Sequence, residues 1–130
     1  MTEGEGFRLI SRFELFVDEL MDLTKKFPKG QKYSLGAKID DTALCLCQHL
    51  YLATYCREIR QDTLYQLRAR IHLMGFLLRM SHKQKLISHG QFNKLTKEQS
   101  EFAKMISSWI KRTNAQCHTE CGEPRGMNAR

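Results

Sequence analysis

Three side chains that could bind a soft metal lie within five residues near the end of the chain, at Cys117, His118 and Cys121. A structural zinc site normally takes four ligands, usually supplied as two pairs. No second pair follows in the sequence, and Cys45 and Cys47 are one residue apart in a predicted helix, where their side chains diverge. A Glu-x-x-His motif, which a di-iron bundle requires, is also absent. We therefore predict no metal and no cofactor.

Catalytic motifs are equally missing from the sequence. It contains no Gly-rich phosphate loop, no Gly-x-Ser-x-Gly elbow and no His-Glu-x-x-His. We therefore predict that the protein is not an enzyme. A metal-binding enzyme remains the alternative, which metal analysis of the purified protein would decide.

A cationic stripe is the pattern that could do chemistry, and it lies in the stretch from Asp62 to Lys85. No acid occurs between Asp62 and Glu98. The stripe recurs at steps of three and four beside a hydrophobic seam, and it consists of Arg68, His72, Gly75, Arg79 and His82. Cations on one helix face can neutralise phosphates with little sequence preference.

Ten basic residues are the candidates for binding nucleic acid or a partner. The first choices are Arg68, Arg70, Arg79, Lys83 and Lys85, followed by Lys25, Lys26, Lys29, Lys111 and Arg112. The alternative is that these charges only keep the protein soluble. For Arg79 a second alternative is an ion pair with an acid of the first helix, which would serve the fold.

Charge is distributed unevenly along the chain, whose formal net charge is +7. Residues 1–24 hold two bases and six acids, whereas residues 25–38 hold five bases and no acid. A basic protein with an acidic first segment suggests a polyanionic partner, or self-association of acidic with basic surfaces.

Hydrophobic periodicity predicts four amphipathic helices. They cover about Leu9–Phe27, then from about Gln31–Ser34 to about Glu58, from Asp62 to around Leu86–Ser88, and roughly Gln91–Thr113. Short connections between such helices predict an all-α fold, an antiparallel up-down four-helix bundle. We expect one domain of residues 9–113, a flexible N-terminus of residues 1–8, and a disordered tail of residues 114–130, with Asn114 ending the last helix.

The second helix is apolar around much of its circumference, with no charge from Ala43 to Cys56. Such a helix is buried against more than one neighbour or faces another subunit. In an up-down bundle, Lys25–Lys32 and Lys83–Lys85 should gather at one pole, and Lys111 and Arg112 at the other.

The number of cysteines, five, is odd, and the N-terminal residues are acidic without an apolar run. These features predict free thiols in a reducing, cytoplasmic setting. No apolar run approaches the length of a membrane span, so we expect no membrane association.

Several motifs resemble one family. They are Phe27-Pro28-Lys29, Leu35-Gly36 within FPKGQKYSLGAKID, Leu77-Leu78-Arg79 within LLRM, and Trp109-Ile110-Lys111 within SSWIKR. Together they are similar to the four-helix-bundle accessory proteins of diversity-generating retroelements, called Avd. Ser107 and Ser108 stand where that family often has glycines.

This resemblance implies a homopentamer with a basic surface that binds the retroelement's reverse transcriptase and its template RNA or cDNA. It also implies a non-catalytic role in mutagenic retrohoming. The alternative family is the bundle proteins of ribosomal RNA intervening sequences, whose Asn-Ile-Ala-Glu-Gly stretch is absent here. A protein of that kind would be an oligomeric interaction protein without a nucleic-acid role.

Overall fold

Four long helices make up the protein in the computed structural model, which describes residues 3–121 and the side chains of residues 8–115. They are α1 (Glu3–Lys25), α2 (Ala37–Tyr55), α3 (Arg60–Lys83) and α4 (His89–Cys121). No strand occurs within that range. The prediction of an all-α helical bundle is confirmed.

Aromatic rings join α1 to α4 at the centre of the core. The Phe102 ring lies 4.3 Å from the Phe13 ring and 5.3 Å from the Phe16 ring. Phe102 is 1% exposed, and the other two side chains are fully buried. Truncating a buried phenylalanine of this kind to alanine typically lowers the free energy of unfolding by about 3–5 kcal/mol.

Polar pairs connect neighbouring helices around this core. Thr24 of α1 donates a hydrogen bond of 2.6 Å to Asp40 of α2. The Gln99 amide of α4 donates to the Ile71 carbonyl of α3 over 3.1 Å. Since buried amides and hydroxyls are expensive to leave unpaired, these bonds favour one packing arrangement over others.

The connection between α1 and α2 is itself helical. A single turn, Lys29–Gln31, leads into a π-helical segment, Lys32–Gly36. A Cβ atom on Gly36 would lie 3.3 Å from the Phe27 ring, so the absence of a side chain allows this close approach. Two of the sequence motifs, Phe27-Pro28-Lys29 and Leu35-Gly36, thus contact each other physically.

The second helix is shorter than predicted, because α2 ends at Tyr55 rather than at Glu58. The Arg60 guanidinium donates to the Ala53 carbonyl over 2.6 Å and to the Thr54 carbonyl over 3.0 Å. It therefore occupies carbonyl groups that a longer helix would have used itself.

The turn between α3 and α4 is built from two caps. At the end of α3, the Leu86 amide bonds the Ser81 carbonyl and the Lys85 amide bonds the His82 carbonyl, a Schellman motif with Lys85 at φ 63°. At the start of α4, Ser88 and Gln91 exchange side-chain bonds of 3.1 and 2.9 Å, which is a capping box.

The first and last helices extend beyond the residues predicted for them. α1 already begins at Glu3, inside the stretch expected to be flexible. The prediction that Asn114 ends the last helix is wrong, since α4 continues to Cys121. The remaining residues of the predicted tail, 122–130, lie outside the described residues.

Candidate nucleic-acid interface

One face of α3 points away from the bundle and carries both aromatic rings and cations. We call it the outer α3 face. Its members recur at steps of three and four, and they are Tyr65, Arg68, His72, Phe76, Arg79 and Lys83. Tyr65 is 43% and Phe76 47% exposed, and His72, Arg79 and Lys83 are exposed as well. The side chains of the seam behind them, such as Leu67, Met74 and Leu78, are fully buried.

Arg68 lies at the edge of this face and contacts a ring of the same helix. It is half-buried, and its guanidinium carbon lies 5.5 Å from the centroid of the Tyr65 ring. This cation–π contact restricts the movement of both side chains without neutralising the charge.

Acids are kept away from the outer α3 face. The acids of α4 among residues 89–115 are Glu98 and Glu101, and both are directed to α1. Glu101 forms an ion pair of 3.2 Å with Arg12, and Glu98 interacts with Glu19. Within the described part of the chain, no acid forms an ion pair with a cation of the outer α3 face. The field over this face therefore stays positive.

Arg79 had two interpretations from the sequence, an ion pair with α1 or a role at the surface. Its side chain is exposed on the outer α3 face. None of the described acids pairs with it. The geometry thus leaves its charge available to a partner.

Two members of the predicted stripe belong to a different surface. Gly75 is buried, and a Cβ atom there would lie 3.0 Å from the Gln99 amide of α4. The His82 ring stacks on Phe92 of α4 at 4.2 Å between centroids and 10° between planes. Both residues join α3 to α4, so the prediction that they share the cationic face is wrong.

Conversely, Tyr65 and Phe76 are members of the face that were not predicted from the sequence. They could have been found from their spacing, because they continue the series of Arg68, Arg79 and Lys83 by steps of three and four. Aromatic residues in an amphipathic helix usually belong to the core, so residue type alone does not indicate that these two are exposed.

Arg70 is placed apart from the other first-choice cations. It is half-buried, and its Nε atom is enclosed without a hydrogen-bond partner among the described residues. Its position on α3 is on the flank of the helix rather than on the outer α3 face.

The cations near the first turn are closer to acids. Lys25 lies 3.6 Å from Asp22, and both side chains are exposed. Lys26 lines a cavity of about 250 Å³ with Glu19, Asp22 and Lys94. Because Lys94 is on the first turns of α4, this cavity brings the end of α1 beside the start of α4. Lys29 is exposed in the α1–α2 connection, and Lys85 is exposed in the α3–α4 turn.

Lys111 and Arg112 are exposed near the other end of the bundle. Asn114, close behind them on α4, accepts a hydrogen bond from Gln61 at the start of α3. The ten candidate cations therefore do not form one continuous site. Of the ten, Arg68, Arg79 and Lys83 share the outer α3 face, and none of these three pairs with an acid among the described residues.

Ionisable groups elsewhere have shifted pKa values that reflect helix packing. Burial, followed by the charge of Glu19, raises the pKa of Glu98. A hydrogen bond to Glu14 raises the pKa of Tyr51 to about 12. Its hydroxyl donates to the Glu14 carboxylate over 2.6 Å. These shifts arise on the α1 side of the bundle.

Metal ligands do not converge in the part of the chain that the structure describes. No group of three or more His, Cys, Asp or Glu side chains there could hold an ion. The side chains of Cys117, His118 and Cys121 lie outside the described ones. Among the described helices, none is long and apolar enough to span a membrane.

Comparison with known proteins identifies a family. A family model described as bAvd-like matches residues 8–113. Of the four helices, this range leaves out only the start of α1 and the end of α4. No curated protein and no solved structure matches the chain.

Proposed function

We infer that this chain, which belongs to the bAvd-like family, is a non-catalytic accessory protein of a diversity-generating retroelement. It binds the element's reverse transcriptase together with template RNA or cDNA in the cytoplasm and supports mutagenic retrohoming. The family match supports the accessory role. The binding of nucleic acid is carried by one observation, the acid-free outer α3 face.

The attraction between this face and nucleic acid is electrostatic. Arg79 and Lys83 are exposed and have no ion-pair partner among the described residues, and Arg68 lies on the same face against the Tyr65 ring. Each cation that contacts a phosphate releases counterions from the strand, so binding weakens as salt is added. A surface of this kind binds a phosphate backbone with little preference for sequence.

The bundle that presents this face is antiparallel and up-down in our proposal. Pairs between α1 and α4 support it, since Arg12 meets Glu101 whereas the later Glu19 meets Lys94. The α3–α4 pairs run the same way, from Gln61 with Asn114 to His82 with Phe92.

The ring of five subunits that the resemblance implies would use α2. That helix exposes a row of large apolar side chains on the surface, Leu44, Tyr51 and Tyr55. Exposed apolar rows of this kind are typical of subunit contacts. The outer α3 face is then left free for nucleic acid and the reverse transcriptase.

Nucleic-acid binding is tested by fluorescence anisotropy of a labelled RNA across a series of salt concentrations. We expect the logarithm of the binding constant to fall linearly with the logarithm of salt. The double variant Arg79→Gln/Lys83→Gln should bind more weakly and should reduce the slope by about 0.7 for each phosphate that it no longer neutralises. Lys38→Gln, which changes an exposed lysine of α2, is the matched control. Binding that ignores salt, or a double variant that behaves like the control, would refute the proposal.

The assembly and the partner need separate measurements. Sedimentation velocity should give a mass of about five times the 15.2 kDa of one chain, and Leu44→Glu should dissociate the ring. Copurification with the reverse transcriptase encoded in the same genomic neighbourhood tests the partner. A monomer at every concentration, or a neighbourhood without a reverse-transcriptase gene, would contradict these parts of the proposal.

A further inference from the structure

We propose that the outer α3 face binds single-stranded rather than duplex nucleic acid, with bases stacked on Phe76 and Tyr65 and phosphates held by Arg79, Lys83 and Arg68. This inference rests on the proposed function and specifies its ligand. It depends on the presence of exposed rings among cations on the same face.

Rings and cations are interspersed along the length of the face, in the order Tyr65, Arg68, His72, Phe76, Arg79 and Lys83. From Tyr65 to Lys83 it extends over about 27 Å at the rise of an α-helix. Phe76 lies between His72 and Arg79, one helical turn from each. A single strand offers both kinds of group in the same repeat, a base with an open π-face and a phosphate. Aromatic platforms within a cationic groove are the usual means of binding such strands.

The exposure of Phe76 has no explanation in the packing of the bundle. Its neighbours Leu77 and Leu78 are buried in the core, whereas the Phe76 ring is 47% exposed on a face that otherwise carries polar groups. An isolated exposed apolar residue is ordinary. Here two exposed rings and an exposed imidazole share one acid-free stripe with three cations, which matches a stacking surface.

Tyr65 shows that this surface is partly ordered before a ligand binds. The Arg68 guanidinium lies 5.5 Å from its ring centroid, and the Tyr65 hydroxyl accepts a hydrogen bond of 3.1 Å from Gln61. A ring already held in place loses little side-chain entropy when a base stacks on it.

A duplex is a poor partner for the exposed rings, because its bases already stack on each other and show no free π-face to the protein. An acidic protein segment could pair with the cations, but it would leave the rings without matching partners. The combination of exposed rings and cations on one face therefore favours a single strand over both a duplex and an acidic protein segment.

The test compares ring removal with charge removal on labelled probes of about 12 nucleotides, single-stranded and duplex, a length within the site sizes of single-strand-binding domains. We expect Phe76→Leu to weaken single-strand binding about tenfold while leaving the salt slope and duplex binding unchanged. Tyr65→Leu should act in the same way. Tyr33→Leu, which removes a ring that is 76% exposed in the lysine-rich α1–α2 connection, should have no effect.

A second readout reports stacking directly. Phe76→Trp places an indole on the face, and its fluorescence should be quenched by the single strand but not by the duplex. Trp109 is 3% exposed and contributes a constant background. Tyr33→Trp is the control and should keep its fluorescence.

Each contrary result has a separate meaning. If no variant and no wild-type protein binds nucleic acid, the proposed function itself fails. Salt-dependent binding that is equal for single strand and duplex, or that Phe76→Leu leaves intact, overturns only the stacking inference. A change in sedimentation of Phe76→Leu would place the ring in a subunit contact and would also overturn it.

Discussion

Replacing Gly75 by alanine tests how closely α3 must approach α4 to present the outer α3 face. A Cβ atom at this position would lie 3.0 Å from both Cδ and Nε2 of Gln99. The Gln99 amide donates to the Ile71 carbonyl over 3.1 Å, so a shift of a few tenths of an ångström stretches that bond to its limit.

Two effects of opposite sign determine how far Gly75→Ala changes the free energy of unfolding. Leaving the buried Gln99 amide unpaired costs about 1–3 kcal/mol. Replacing a glycine in a helix interior by alanine stabilises the helix by about 1 kcal/mol. We therefore expect Gly75→Ala to lower the free energy of unfolding by about 1 kcal/mol.

The same substitution should have the opposite sign once Gln99 is shortened. In a Gln99→Ala background the new methyl group meets no amide, so Gly75→Ala should stabilise the protein by about 1 kcal/mol. The double-mutant cycle should thus give a coupling free energy of about 2 kcal/mol between the two positions.

Urea denaturation at one fixed protein concentration measures all four proteins, since the stability of the proposed oligomer would depend on concentration. With an m-value of about 2 kcal/mol/M, each change of about 1 kcal/mol shifts the midpoint of the urea transition by about 0.5 M. If Gly75→Ala stabilises both backgrounds equally, the close approach of α3 and α4 is not enforced by Gln99, and the reasoning is refuted.

Three further predictions concern the turn and the α1 side of the bundle. Lys85→Gly should raise the free energy of unfolding by about 0.5–1 kcal/mol, because Lys85 has φ 63° and glycine adopts that conformation without strain; urea denaturation measures this, and an unchanged or lower stability would contradict it. Glu98→Gln should stabilise the protein at neutral pH but not at acidic pH. The raised pKa of Glu98 means that the folded state holds this proton more tightly, so stability is lost as pH rises from the ordinary value of the group through the raised one. Thermal unfolding against pH, with Glu101→Gln as the control, tests this, and a benefit that persists in acid would count against it. Tyr51 should titrate at about 12, and Glu14→Gln should lower the pKa of Tyr51 because the tyrosinate no longer faces a carboxylate. The ultraviolet difference spectrum against Tyr51→Phe reports it, and titration of Tyr51 near its ordinary value of 10.0 in the wild type would refute the Glu14 contact.

Helix boundaries show where local sequence signals were sufficient and where they were not. The start of α4 could have been found from Ser88 and Gln91, since a Ser-x-x-Gln capping box is visible in the sequence. The end of α2 could not, because it is stabilised by the Arg60 guanidinium, which bonds carbonyl groups six and seven residues earlier. Asn114 was expected to end α4, but this asparagine accepts a bond from Gln61 instead.

The residues of the candidate site also differ in how far the sequence could predict them. Net charge and the acid-free stretch from Thr63 to Lys97 identified α3 as the cationic helix. They did not distinguish its flanks, and so Arg70, Gly75 and His82 were grouped with residues that face the solvent. The exposed rings of Tyr65 and Phe76 were overlooked for the reverse reason, since an apolar residue at helical spacing usually faces the core.

The sequence by itself determined the helical class, the hydrophobic seam of each helix and the uneven distribution of charge, because these depend on residue type and on the 3.6-residue period alone. Only the tertiary structure decided which side of α3 remains open. Gly75 and His82 turn towards α4 because Gln99 and Phe92 lie opposite them. Glu101 turns towards α1 because Arg12 lies opposite it, and Glu98 interacts with Glu19 of α1. The outer α3 face is what remains after those contacts are made, and such contacts between residues distant in sequence are not encoded in the periodicity of any single helix.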